Sequence, residues 1–143
     1  MEMQYFKEFI VKKYAEGHYI VVGGDWNQTP PGLACQQAAK NMGINNDSSY
    51  CPANIPADFL PSNWHWAYDV QTATNRSLSK LFKAGETPVS LVDYYLVSPN
   101  IKVHSVKGHS LKFRYSDHNP VSISLELMRD SSLQKQVNRL NPN

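Results

Sequence analysis

The residues of this chain that can do acid–base or phosphate chemistry fall in three short stretches. Ser116-Asp117-His118-Asn119-Pro120 sets a carboxylate beside an imidazole and then stops the backbone with a proline. Gly23-Gly24-Asp25-Trp26-Asn27 spaces a carboxylate and an amide two residues apart, so both would face the same way on an extended segment. Leu91-Val92-Asp93-Tyr94-Tyr95-Leu96-Val97-Ser98 embeds an aspartate in an apolar run. A carboxylate in such a place is costly unless it is paired, and an imidazole N–H is its natural partner. Hydrolysis of a phosphate ester needs these side-chain types. Water must be aimed at phosphorus, charge on the non-bridging oxygens must be neutralised, and the leaving oxygen must be stabilised.

Positioning such groups takes a rigid frame, and the sequence carries one. Val121 to Leu127 alternates apolar and polar residues, the pattern of a half-buried strand. Tyr19-Ile20-Val21-Val22 is a short apolar run that predicts a strand buried on both faces. It ends in glycines that let the backbone turn and let another group approach. The Asp93 stretch has strong strand propensity, and Gly85-Glu86-Thr87-Pro88 reads as the turn leading into it. Met3, Phe6, Phe9, Ile10 and Tyr14 recur at helical spacing and predict an amphipathic helix ending at Gly17. Leu33 to Met42 predicts a second, short helix with Ala34, Ala38, Ala39 and Met42 inward and Gly43 as its stop. Ala67 to Thr72 and Ile101 to Val106 read as extended segments, with a turn and an exposed, inert His109 after the latter. A helix feeding directly into a strand implies α/β layering.

The motifs in this order, Gly24-Asp25-Trp26-Asn27, Val92-Asp93-Tyr94-Tyr95-Leu96-Val97-Ser98 and Ser116-Asp117-His118-Asn119-Pro120, resemble the C-terminal half of the endonuclease/exonuclease/phosphatase superfamily, the DNase-I-like fold. The resemblance spans Tyr19 to Leu127. It implies an α/β (α+β) architecture: half of a four-layer sandwich, one mainly antiparallel sheet with helices on one face. Residues 1–128 would form a single domain and 129–143 a polar tail. It implies metal-dependent phosphoesterase or phosphodiesterase chemistry by in-line attack of water, within a larger parent chain. His118 would donate to the phosphate and Asp93 would hold that imidazole. Asp25 would orient or deprotonate the water, and Asn27 would donate to the phosphate. Asp117 would help hold Mg2+ or Mn2+, a hard ion that takes carboxylate oxygens. The family's metal-binding asparagine and glutamate lie ahead of the first motif, where this sequence offers residues 1–18 and a single predicted helix. From this we expect weak metal binding and little turnover by the chain alone. We also expect a bare sheet face, covered by a second copy or by the missing half. The competing class is a non-catalytic module that binds a phosphorylated ligand or a protein partner.

Composition narrows the rest. At 143 residues with 41% hydrophobic and 18% charged residues, the chain is an ordinary globular domain with enough length for a core. The net charge of +2 comes without the clustered Lys/Arg of a nucleic-acid face. No apolar run is long enough to cross a membrane, and no signal-peptide pattern opens the sequence, which leaves the compartment open. The cysteines, Cys35 and Cys51, are read first as unrelated thiols and second as a disulfide pinning the loop between them. Ile44 to Ala67 is a long irregular segment of the kind that sets substrate choice. Its Trp64 and Trp66 are read first as loop anchors and second as stacking surfaces for a substrate. Arg76 is a candidate for gripping a phosphate with two hydrogen bonds, against an ordinary surface ion pair.

Overall fold

The computed structural model describes residues 2–44 and 50–128; the predicted polar tail at 129–143 and part of the irregular segment lie outside them. The architecture is mixed α/β, mostly strands in antiparallel sheets with two helices. Helix α1 (Glu2–Ala15) ends where Gly17 takes φ 89°, a conformation that glycine adopts without a Cβ clash. Strand β1 (Val21–Asp25) follows, then helix α2 (Gln37–Asn41). Strands β2 (His65–Ala67), β3 (Asn75–Arg76) and β4 (Val89–Ser90) are short. β5 (Asp93–Val97), β6 (Ile101–Gly108) and β7 (Val121–Leu127) complete the described residues.

β5 is the central strand of a three-stranded sheet in the order β1-β5-β2, with β3-β4 and β6-β7 as two-stranded ladders. All these pairings are antiparallel. In the β1–β5 register Val22 lies opposite Leu96, Gly23 opposite Tyr95 and Asp25 opposite Asp93. Successive side chains alternate between the faces of a strand, so Asp25, Asp93 and Tyr95 share one face. The other face carries Val22 and Leu96 into a core with Ile10, Leu60 and Trp64, against which Phe6, Val11 and Tyr14 of α1 pack. A second core gathers Ala38, Ala39, Ile55, Leu91, Tyr94 and Phe113. Burying these side chains stabilises the fold by roughly 1.5–3 kcal/mol for each large one.

Several local expectations are corrected. β1 is not buried on both faces: it is an edge strand paired only with β5, and Val21 is 43% exposed. Phe9 is 60% exposed because Ile10 takes the inward position on α1. α2 begins at Gln37 rather than Leu33; Leu33 and Gln37 instead close turns onto Pro30 and Ala34. Residues 107–108 extend β6 instead of turning, and His109 is half-buried, with Nε2 2.7 Å from the Ser122 hydroxyl. Cys35 and Cys51 are joined as a disulfide, with Cα atoms 5.5 Å apart, so the reading as unrelated thiols falls.

Two contacts tie the sheet to the β6–β7 ladder. The Tyr95 hydroxyl donates to the Val121 carbonyl at 2.9 Å. Its ring lies flat over Gly23, where any Cβ would collide with it. At the far end the Tyr19 hydroxyl donates to the Met128 carbonyl at 2.9 Å. Among the described residues no helix is long and apolar enough to cross a membrane.

Candidate active site

The carboxyl end of β1, the start of β5 and the segment before β7 converge at one rim. The Nδ1 atom of His118 lies 2.8 Å from Oδ2 of Asp93, and Nε2 lies 4.0 Å from Oδ2 of Asp25. Asp93 is mostly covered, while Asp25 and His118 are about one-third exposed. The imidazole therefore stands between two carboxylates at the edge of an open cleft of about 590 Å³, lined by Gly23, Asp93, Tyr95, His118 and Val121.

The backbone behind these groups is held by side chains that turn and strand patterns do not flag. The Thr74 hydroxyl is buried and accepts from the backbone N–H of both Val92 and Asp93, at 3.0 and 2.9 Å. The Thr74 carbonyl accepts from Asn119 N–H at 2.8 Å. Thr74 thus links the strand that carries the acid to the segment that carries the imidazole. Asn119, 2% exposed, clamps that segment from within. Its amide nitrogen donates to the Ala73 carbonyl at 3.0 Å, and its oxygen accepts from Leu111 N–H at 3.1 Å. Both of its buried ends are satisfied, as buried amides require.

Asn75 lies at the same rim, though no local pattern in the sequence marks it. Asn75 bridges His118 through the backbone, and its Nδ2 is 2.9 Å from His118 Nε2. Its Oδ1 accepts from the Tyr50 hydroxyl and lies 3.4 Å from the Ser90 hydroxyl. Burial raises the Tyr50 phenol above its ordinary pKa, which keeps it protonated and donating.

The remaining candidates separate. Asn27 does not continue β1. It takes φ 52°, and its N–H folds back onto Oδ1 of Asp25 at 2.8 Å, the Asx turn that aspartate favours. The alternation that would have aligned its side chain with that of Asp25 is broken there. Trp26, between them, is the anchor: its ring stacks on Tyr94 at 5.5 Å and its Nε1 donates to the Tyr94 carbonyl at 3.1 Å. Tyr94 is buried, and burial together with the nearby Asp25 charge raises its phenol far above the usual range. Trp64 is 6% exposed and edge-on to Tyr14 of α1. Trp66 packs edge-on to Trp26 and Tyr94. Trp64 is thus packed in the core, and Trp66 is half-buried within the same aromatic cluster. Arg76 pairs its backbone N–H with the Asp117 carbonyl at 3.0 Å, and its Nη1 donates to the Ser77 carbonyl at 3.1 Å.

Asp117 is half-buried, and its Oδ1 lies 3.4 Å from the Ser116 hydroxyl. Among the described residues no three His, Cys, Asp or Glu side chains gather as a metal site. Mg2+ commonly takes one or two carboxylates and completes its shell with water and substrate phosphate.

Comparison with family models, with curated proteins and with solved structures finds no match to this chain.

Proposed function

We propose that this chain carries the phosphate-handling half of a phosphoesterase site of the endonuclease/exonuclease/phosphatase kind. The observation that carries the reading is the placement of His118 between Asp93 at 2.8 Å and Asp25 at 4.0 Å on one rim of a β-sheet. Asp93 orients the imidazole through Nδ1, in the manner of a carboxylate–histidine pair. His118 then turns its other nitrogen toward a phosphoryl group in the cleft. Asp25, on the exposed side, aims the attacking water. Mg2+ or Mn2+ would be held at Asp117, with water and substrate phosphate as its other ligands, and would supply charge neutralisation when bound. In this reading a second copy, or the other half of the domain, would complete the sandwich.

The short donor set favours a second reading alongside catalysis, in which the chain binds a phosphorylated ligand without turning it over. Titration of the 15N-labelled chain with inorganic phosphate tests the shared premise. Resonances of Asp25, Asp93 and His118 are expected to move together, and His118→Ala to abolish the response. A response elsewhere on the chain, or none, ends the phosphoester reading. Release of p-nitrophenol from bis(p-nitrophenyl) phosphate in the presence of Mn2+ then separates hydrolysis from binding.

A further inference from the structure

A phosphoryl group in this cleft needs a neutral N–H donor, and the backbone at Asn27, expected to extend β1, turns back onto Asp25 instead. Another amide stands in the right place. Nδ2 of Asn75 is 2.9 Å from Nε2 of His118, on the nitrogen that faces away from Asp93.

Which end of that amide faces the imidazole follows from Asp93: an ionised carboxylate only accepts, so Nδ1 of His118 carries the proton and Nε2 of the neutral ring is left to accept. A side-chain amide has two donors on nitrogen and acceptors only on oxygen. Oδ1 is taken by the Tyr50 hydroxyl, with the Ser90 hydroxyl 3.4 Å away. The nitrogen is left to point at His118. Polarity then runs one way, from Tyr50 O–H to Asn75, from Asn75 N–H to His118, and from His118 N–H to Asp93. Tyr50 in turn adjoins Cys51, which is cross-linked to Cys35, so the far end of the chain of bonds is covalently moored.

We propose that Asn75 is the phosphoryl-binding amide of this site: its N–H rests on His118 in the free protein and passes to a phosphoryl oxygen when one enters the cleft. An amide donor stabilises such an oxygen without adding charge, and Tyr50 and Ser90 keep it aimed while the exchange takes place. The inference rests on the phosphoester reading above and assigns a residue which that reading lacks.

Inorganic phosphate and the full chain suffice as the test. The Asn75 side-chain NH2 resonances are expected to move with phosphate in step with those of His118. Asn75→Ala should weaken phosphate binding about two- to tenfold, the size of one neutral hydrogen bond. Asn75→Asp keeps the shape, removes the donors and adds a negative charge, so it should weaken binding more than the alanine variant. Tyr50→Phe leaves Asn75 in place but frees its aim, and should give a smaller loss of the same kind. Phosphate shifts at His118 with the Asn75 amide unmoved, or Asn75→Asp binding as wild type while His118→Ala does not, would overturn the assignment and leave the phosphoester reading standing. A wild-type chain that phosphate does not perturb at all overturns both.

Discussion

Asp25 and Asp93 are register partners across the β1–β5 ladder, and the imidazole that serves both comes from neither strand. Like charges placed directly opposite each other in a sheet destabilise it. His118, delivered by the segment before β7, turns Nδ1 to Asp93 at 2.8 Å, while its Nε2 meets the Asn75 amide at 2.9 Å with Asp25 4.0 Å away. The same three groups that make the rim chemically useful are therefore coupled in stability.

Asp93→Asn should lower affinity for inorganic phosphate by about tenfold or more, the worth of a charge-assisted hydrogen bond that orients the donor. The measurement is the phosphate titration, read beside far-UV circular dichroism to show that the fold persists. An unchanged affinity would detach Asp93 from phosphate handling.

Thr74→Val removes one hydroxyl and strands the N–H groups of Val92 and Asp93, which are bonded to it at 3.0 and 2.9 Å. Leaving buried donors unpaired costs about 1–3 kcal/mol each. Urea unfolding should register a loss of about 2–6 kcal/mol for the two donors together, with Thr74→Ser recovering most of it.

Reduction of the Cys35–Cys51 bond, which closes a sequence separation of 16 residues, should destabilise the chain by about 3 kcal/mol in the loop-entropy account. Melting with and without dithiothreitol reads this directly. Cys35→Ser should melt at one temperature under both conditions.

Stability should fall as pH rises above about 10, the ordinary phenol value. Tyr50 and Tyr94 have raised pKa values in the folded state. The unfolded chain therefore loses those protons first and binds fewer protons than the native one, and the sign of the linkage is negative with increasing pH. Absorbance at 295 nm should show Tyr94 ionising only as the protein unfolds. Tyr94→Phe should remove part of the pH dependence.

Calorimetric titration of the chain with MgCl2 or MnCl2 should show no micromolar site, because among the described residues no three carboxylate, imidazole or thiol groups gather around a cation position. A single micromolar isotherm would mean that the described donors close around a cation in a way their free positions conceal.

Much of this site could be read from the residues in order. Asp25, Asp93 and His118 each lie at a strand end marked by glycines, by an apolar run or by a proline, and local pattern carries that information. What escaped was set at long range. Asn75 and Thr74 look like loop polars in sequence; their roles come from a register that brings β3 beside the His118–Asn119 segment. The strand stops short of Asn27 at an Asx turn, which uses the same residue types as an extended strand end. β1 was expected inside the sheet because Ile20, Val21 and Val22 are apolar, yet an edge strand needs only one covered face. The pairing of Cys35 with Cys51 depends on how the loop between them folds back, which spacing alone does not dictate.

Gly23 makes the sheet locally one side chain thinner, and the Tyr95 ring fills the space so made. That ring reaches across to the backbone of Val121, three residues after His118. The spacing between the acid-bearing sheet and the hairpin that brings the imidazole is thus gauged by a tyrosine lying in a seat where nothing projects. Methyl groups are the smallest addition a codon change can make at residue 23, and even one would tilt the gauge and widen the gap across which the two halves of the rim must meet.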